Sequence, residues 1–537
     1  MAERQLLSGD EAVALAAHRC GVSLASGYPG TPSTEIIEAF AGLGGRAGWA
    51  PNEKVAVEVA IGAAFCGARA MATMKHVGLN VAADPLFTVA ETGVDGALVI
   101  VTCDDPGMAS SQNEQDSRRY AIAAAVPMLE PTDAQEAHDL FLEAVRLSER
   151  WKVPVLFRMT TRVCHTQGVV VAAAEAPPAP PIVYCRDIPA RVMIPANARP
   201  AHRRLRAKLA EILAWGEAGT LVREHRRGRR MGVVANGVCV PHALEAEPDA
   251  SVLQLNLIHP LPIERIRSFA ATVDALAVVE EGDPVIEEQL LAAGIRVRRR
   301  PEMYRFGEHD VPRVRRLLAG EAIPDPPRPR GKPPQLCNGC PHRTAYDAFK
   351  GLQVYAAGDI GCYSLGALPP FEAMDTLVCM GAAIGVGLGM RRVLPDSEAR
   401  KVVSVLGDST FVHSGITGIV EMVYNPPPTG HVVVILDNGT TAMTGMQEHP
   451  ATGRGVAHDL IGRVRLEDIC RGCGVQHVEV IDMHSAGASL PAKLAERLAC
   501  DQTSVLILRR PCLLTVKRLR ELEAREAAGC GQEGCCG

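Results

Sequence analysis

Over the first 170 or so residues, stretches with apolar positions three and four apart alternate with short unbroken apolar runs. The first spacing buries one stripe of a helix, and the second buries both faces of a strand. Ser8 followed by Glu11 predicts a capped helix start in LSGDEAVALAAHR, and ALVIVTCDD at residues 97–105 predicts a buried strand running into a polar loop. This alternation predicts an α/β fold, a mostly parallel doubly wound sheet with helices on both faces. The pattern returns in MGVVANGVCV, SVLQLNLIHPLP and ALAVVEEGDPVIEEQLL, and again after residue 337, where KVVSVLGD and HVVVILDN read as strands ending in polar turns.

Breaks in this pattern divide the chain. Residues 1–175 form a first α/β domain, and 176–230, with a Pro/Ala run and the basic text HRRLRAKL to REHRRGRR, a solvated linker with a surface helix. Residues 231–321 form a smaller α/β domain, 322–336 a proline-rich join, and 337–520 a second doubly wound domain. Residues 521–537 read as a tail carrying Cys530, Cys535 and Cys536.

The 537 residues are 47% hydrophobic and 22% charged, enough for several buried cores. Lys plus Arg number 56 against 61 for Asp plus Glu, a formal charge of −5, which excludes a broad cationic field for nucleic acid or anionic membrane. No run of 18 apolar residues suggests a membrane span, and Glu3, Asp10 and Glu11 stand where a signal peptide would be apolar. A cytoplasmic protein is the expectation. Its 17 cysteines, an odd number, are then expected as thiols rather than as a disulfide framework.

Two strand ends carry the first chemical signal. Asp408 closes KVVSVLGDST, and Asn438 closes HVVVILDNGTT 30 residues later. Neighbouring parallel strands end on one edge of a sheet, so Asp408, Asn438 and the Thr440 carbonyl can converge as hard oxygen ligands for magnesium on a diphosphate. Gly407 and Gly439 allow close backbone approach, with Ser409 beside them. GDS and DNG also occur as plain turns.

Gly-Asp, an interval, then an Asn-containing pair resembles the thiamine diphosphate motif. Thiamine chemistry further needs a carboxylate against the pyrimidine ring, because protonating a ring nitrogen drives the amino group to its imino form. GYPGTPSTEIIEAF and NEKVAVEVAIGAAFCGARAMATMKHVGLN resemble the pyrimidine-binding domain of the 2-oxoacid:ferredoxin oxidoreductases, where Glu53 stands nine residues before Gly62. Glu58 is the competing carboxylate. MGAAIGVGLGM reads as a tightly packed buried helix whose small residues permit a nearby ligand, and Gly381 at its start is a candidate cofactor-binding residue.

With DDPGMASSQNEQDSR, LCNGCPHR, GDIGCYSLG and DNGTTAMTG, the resemblance extends over more than 450 residues to the alpha subunits of that family that act on indolepyruvate. It implies two thiamine-binding domains, pyrimidine and diphosphate types, around a transketolase-C-like domain. It also implies thiamine diphosphate, Mg2+ and one [4Fe-4S] cluster on Cys337, Cys340, Cys362 and Cys512. A zinc knuckle with His342, or simple buried thiols, are the alternatives for those cysteines. Cys470 and Cys473 read as structural, at a helix end with a glycine cap.

Substrate contact falls by resemblance on Thr31, Arg118 or Arg119, Lys75 and His76, donors suited to a carboxylate beside a ketone. The implied reaction is oxidative decarboxylation of an aryl 2-oxoacid such as indolepyruvate. Coenzyme A takes the acyl group, and electrons pass to ferredoxin or another carrier. A smaller gamma- or beta-type subunit is the implied partner in a hetero-oligomer. Relatives usually end in a ferredoxin-like domain with two cluster-binding cysteine runs, for which the three tail cysteines do not suffice. The onward electron route is therefore open. A non-oxidative thiamine decarboxylase and a non-catalytic scaffold of the same fold are the rival readings.

Overall fold

The computed structural model describes residues 4–172, 181–324 and 334–530. The expectations placed on Cys535, Cys536 and the Cys530 side chain lie outside what it describes. The chain forms two compact units, residues 1–328 and 329–537.

The first helix, Gly9–Arg19, starts as its sequence dictates. Ser8 Oγ accepts from the Glu11 N–H at 3.2 Å, and Glu11 Oε2 accepts from the Ser8 N–H at 2.8 Å. The following strands build a seven-stranded sheet in the order Leu257–His259, Met128–Leu129, Val155–Thr160, Ala97–Asp104, Arg69–Lys75, Leu24–Gly27, Ala47–Trp49. All neighbours are parallel except Leu257–His259, which joins Met128–Leu129 antiparallel. Ala97–Asp104 is buried throughout its length, as an unbroken apolar run demands.

A second sheet of this unit orders Leu276–Val279, Gly232–Asn236, Ser251–Leu255 and Val222–His225, the last antiparallel. The stretch read as a linker, 176–230, thus supplies an edge strand. It also holds the helix Pro195–Ala218, which keeps its basic residues outside and buries Ala201, Leu205, Ile212 and Gly216. Trp215 of that helix meets Trp151 edge-on with centroids 5.2 Å apart, an aromatic anchor that charge counting does not reveal.

The second unit contains a six-stranded parallel sheet ordered Thr376–Leu377, Tyr355–Gly358, Val402–Gly407, His431–Asp437, Thr503–Arg509, His477–Asp482. Successive residues enter opposite cores: Val432, Val434 and Leu436 pack with Val403 and Val405 on one face, Val433 and Ile435 with Leu406 and Ile507 on the other. Two buried faces explain why these strands are apolar at almost every position. The helix Ala382–Val393 departs from the expected all-round burial. It buries Ala383, Ile384, Gly387 and Leu388 but leaves Gly385 and Gly389 on an open side, where an added Cβ would meet nothing within 4 Å.

Candidate active site

The parallel pairing of Val402–Gly407 with His431–Asp437 brings their C-terminal ends together, so the loops carrying Asp408 and Asn438 meet at one edge. The Gly439 N–H donates to Asp408 Oδ2 at 2.8 Å, and the Ser409 N–H donates to Oδ1 at 3.0 Å. His449 Nε2 lies 3.1 Å from the same Oδ2. Burial pushes the Asp408 carboxyl upward, but His449 and these backbone N–H groups outweigh it and hold the group below the usual carboxylate range.

Asn438 is oriented from both ends. Its Oδ1 accepts from the Thr440 N–H at 3.1 Å, while Nδ2 donates to His342 Nε2 at 3.3 Å. Burial holds His342 down to about 4 against the pull of Asp408, so the neutral ring accepts here. Thr441 Oγ1 donates to Ser409 Oγ at 3.0 Å, tying the two loops again. Gly439 sits at φ +69 with open space around its missing Cβ, so a side chain there would be strained by its backbone rather than by crowding.

Behind this edge, Asp359 closes the neighbouring strand Tyr355–Gly358. It accepts from the Tyr363 hydroxyl and, at 3.0 Å, from the N–H of Gly381, which caps the helix Ala382–Val393 at φ +82. Burial lifts this carboxyl to about 7 despite those bonds. Asp437 is lifted to about 6 by burial and by the Asp408 charge, and Arg509 binds it at 2.6 Å. After Asp408–Thr410 comes a single π-helical turn, Phe411–Gly415, a distortion common at functional sites.

The four cysteines are near enough to influence one another's thiols, although no three of their sulfurs lie within 4.8 Å of one another. Burial raises the Cys362 thiol to about 11, with Cys512, Cys340 and Cys337 near enough to raise it further. Cys340 is raised by burial and then by Cys337 and Cys512. Leu513 Cδ1 stands 3.2 Å from where a Cβ on Gly339 would lie, so the Cys512 loop rests on the Cys337–Cys340 loop. The Cys512 N–H donates to the Asn438 carbonyl at 2.9 Å, and His342 follows Cys340 by two residues. Asn438 is therefore tied to the Cys512 loop through its carbonyl and to the Cys340 loop through His342.

In the first unit, Glu53 opens the helix Glu53–Phe65 behind the Asn52 cap and is 4% exposed. Its Oε1 would lie 2.7 Å from a Cβ on Gly78, so only glycine lets the MKHVGLN backbone approach this carboxyl. Lys75 is lowered by burial against the pull of Asp105 and Glu53, its stem lies against Gly30 beside Thr31, and its Nζ donates to the Ser110 carbonyl at 3.1 Å. His76 is buried, with Nε2 3.0 Å from the Asn113 carbonyl. Glu58 is exposed and pairs with Lys54.

Arg118 is held by other residues. Fully buried, its guanidinium is engaged by Asp116, by Glu280 and by the carbonyls of Glu281 and Asp283. Arg119 is exposed and bonds Glu288 at 2.7 Å. Cys470 is buried in the helix Leu466–Gly472, which ends before Gly474 at φ +93. His449 and Asp359 were missed from sequence. GDIG repeats the Gly-Asp of GDST and could have pointed to Asp359, whereas QEHP carries no signal for His449.

A carboxylate and an amide oxygen held in neighbouring loops, with an imidazole already drawn to the carboxylate, are donor types suited to a hard divalent cation and the phosphates it bridges. Residues 359–508 match the family described as thiamine pyrophosphate enzyme, C-terminal TPP binding domain. Residues 15–202 match the pyruvate flavodoxin/ferredoxin oxidoreductase thiamine-diphosphate-binding family. Indolepyruvate oxidoreductase subunit IorA of Archaeoglobus fulgidus is 37% identical over 97% of this chain and 89% of its own. That of Methanothermobacter marburgensis is 38% identical over 96% and 88%. A solved 2-oxoglutarate:ferredoxin oxidoreductase from Magnetococcus marinus aligns at TM-score 0.46 and 16% identity, covering 55% of this chain and 61% of that one.

The two matched domains and the sheet-edge site define a thiamine-diphosphate-dependent oxidoreductase of 2-oxoacids. Within that class, the chain belongs to the family of indolepyruvate oxidoreductase subunit IorA. No described helix is long and apolar enough to cross a membrane.

Proposed function

We propose that the chain catalyses CoA-acylating oxidative decarboxylation of an aryl 2-oxoacid of the indolepyruvate kind, with a smaller second subunit, and delivers electrons to ferredoxin or a similar carrier. The observation that carries this reading is the Cys512 N–H donating to the Asn438 carbonyl, which puts one of the four thiols beside the Asn438 loop, with Cys512 in turn near enough to influence Cys362 and Cys340. An oxidant seated there would lie beside the site where the substrate's carbon becomes electron-rich.

Asp408, Asn438 and the Thr440 carbonyl would hold Mg2+ on the diphosphate, with Gly407, Ser409 and Gly381 lining its approach. Thiamine diphosphate, when bound, supplies the carbanion-stabilising thiazolium that makes loss of carbon dioxide possible. Glu53 would face the pyrimidine end with its carboxyl group and exchange a proton with a ring nitrogen there. Thr31 and Lys75 meet the substrate carboxylate, and His76 positions the 109–116 loop through the Asn113 carbonyl. Arg118, its donors already engaged, acts as a positioning residue. His342 fixes the Asn438 amide so that its oxygen stays on the Thr440 side. The four thiols hold one [4Fe-4S] cluster. A reducing, cytoplasmic setting is part of this reading, because an iron-sulfur cluster on thiolates requires it.

The test is a 2-oxoacid panel with coenzyme A and a viologen dye, using anaerobically purified chain with its partner. Dye reduction that depends on coenzyme A and favours aryl substrates is expected. Decarboxylation without dye reduction, in protein lacking dithionite-bleachable visible absorbance, would replace this reading with the non-oxidative one. No binding heat with thiamine diphosphate and magnesium would leave only a scaffold.

A further inference from the structure

The first unit contains a second group of metal-ligating side chains that the thiamine reading does not use. Asp10, Cys103 and Cys164 each offer a ligand atom, all within 4.8 Å of one another, and all three residues are buried. They come from separate elements: the first turn of Gly9–Arg19, the end of the strand Ala97–Asp104 and the helix Thr161–His165. Gly9 makes this convergence possible, because a Cβ there would stand 2.1 Å from the Val163 carbonyl oxygen. Asp10 also belongs to a group with Glu35 and His165, both exposed, again within 4.8 Å.

The Asp10 carboxylate is the informative member. It is 0% exposed, and neither oxygen accepts a hydrogen bond of normal geometry among the described residues. Burying such a group unsatisfied is costly, in contrast to the well-bonded Asp408. Burial and the Glu35 charge lift its pKa well above the ordinary value, with the Cys164 thiol opposing. Burial likewise raises Cys103 and Cys164. Two thiols and a carboxyl kept neutral by burial are what a thiophilic cation would convert to ligands, releasing their protons.

We propose that Cys103, Cys164 and Asp10 form a structural site for a tetrahedral thiophilic divalent cation of the zinc class, the fourth position being open to a water molecule. Two thiolates at about 2.3 Å from one zinc ion stand roughly 3.8 Å apart, within reach of side-chain adjustment here. The site clamps the first helix to the end of the strand Ala97–Asp104 and to the short helix Thr161–His165. It is independent of thiamine, and its failure would leave the proposed reaction untouched.

The experiment uses the full chain with Cys337, Cys340, Cys362 and Cys512 changed to Ser, so the other thiol group is silent. Anaerobic titration with Co2+ is expected to give thiolate-to-cobalt charge-transfer absorbance and strong tetrahedral d–d bands, saturating near one equivalent. Adding Cys164→Ser removes the charge-transfer band at least in half, and Asp10→Asn weakens binding about 10-fold or more. Zn2+ raises the Tm of the parent by roughly 5 °C and not that of the Asp10→Asn variant, a readout that survives if Cys164→Ser misfolds. Absence of the bands, or their persistence unchanged in both variants, overturns the site, as does a zinc shift equal in parent and Asp10→Asn.

Discussion

Buried charge is organised oppositely in two regions of this molecule. In the first unit, Arg158 bonds Asp104 at 2.8 Å and Glu130 at 2.7 Å, Arg118 bonds Asp116 and Glu280, and Asn236 donates to Glu130 at 2.8 Å. Within this network each charge faces an opposite one. In the second unit, Asp408 is equally buried, yet its partners are two backbone N–H groups and one imidazole, beside a glycine with open space around it. A closed network is a joint, and an open nest of donors around one charge is a place for a ligand.

Removing one member of the closed network has the largest expected effect. Arg118→Met leaves Asp116 and Glu280 buried without their cation, which costs about 3–5 kcal/mol. Urea denaturation is the measurement, and thiamine diphosphate affinity of the surviving folded protein should stay unchanged. If affinity falls while stability holds, Arg118 belongs to the site after all.

Asp408→Asn should behave in the opposite way. The amide oxygen can still accept from Gly439, so the fold is retained, but the charge that would hold the cation is gone. Calorimetry should show magnesium-dependent thiamine diphosphate binding weakened about 100-fold or more, with little change in Tm. Unchanged affinity would remove the basis for placing the diphosphate at this edge.

Much of the open site could be read from the chain because its parts are local. Strand, glycine and acid occur together in VVSVLGDS, and parallel pairing places the end of HVVVILDN beside it. The helix starting at Gly9 was equally legible, since its capping box spans four residues. The closed network was not. Arg118 and Glu280 lie 162 positions apart, and Arg118 in NEQDSRR looks no different from Arg119, which is exposed. His449 reaches Asp408 across 41 positions from a loop with no periodicity. Position along a strand is written in hydrophobic period, whereas the partner of a buried charge is decided by tertiary approach.

A milder prediction concerns Asp359, whose site is neither fully closed nor open. Its carboxyl is lifted by burial from 3.8 to about 7, so the folded second unit holds a proton that the unfolded chain has released. A raised pKa stabilises fully below the unfolded value, and that stability is lost as pH rises through about 7. The difference in unfolding free energy between the wild type and Asp359→Asn should therefore decline from pH 4 to pH 7 and level off above. A flat difference would mean that Tyr363 and Gly381 keep Asp359 ionised throughout.

The smallest effect separates two glutamates on one helix. Glu58 is 46% exposed and pairs with Lys54 in the helical i,i+4 arrangement, so Glu58→Gln should change stability by less than about 0.5 kcal/mol and leave turnover alone. Glu53 is buried at the helix start with the Gly78 backbone against its carboxyl, and Glu53→Gln keeps that shape while removing the transferable proton. Turnover with partner present should fall about 100-fold or more, with thiamine diphosphate binding nearly intact. Equal loss in both variants would mean that the helix, rather than one carboxyl on it, is what the reaction requires.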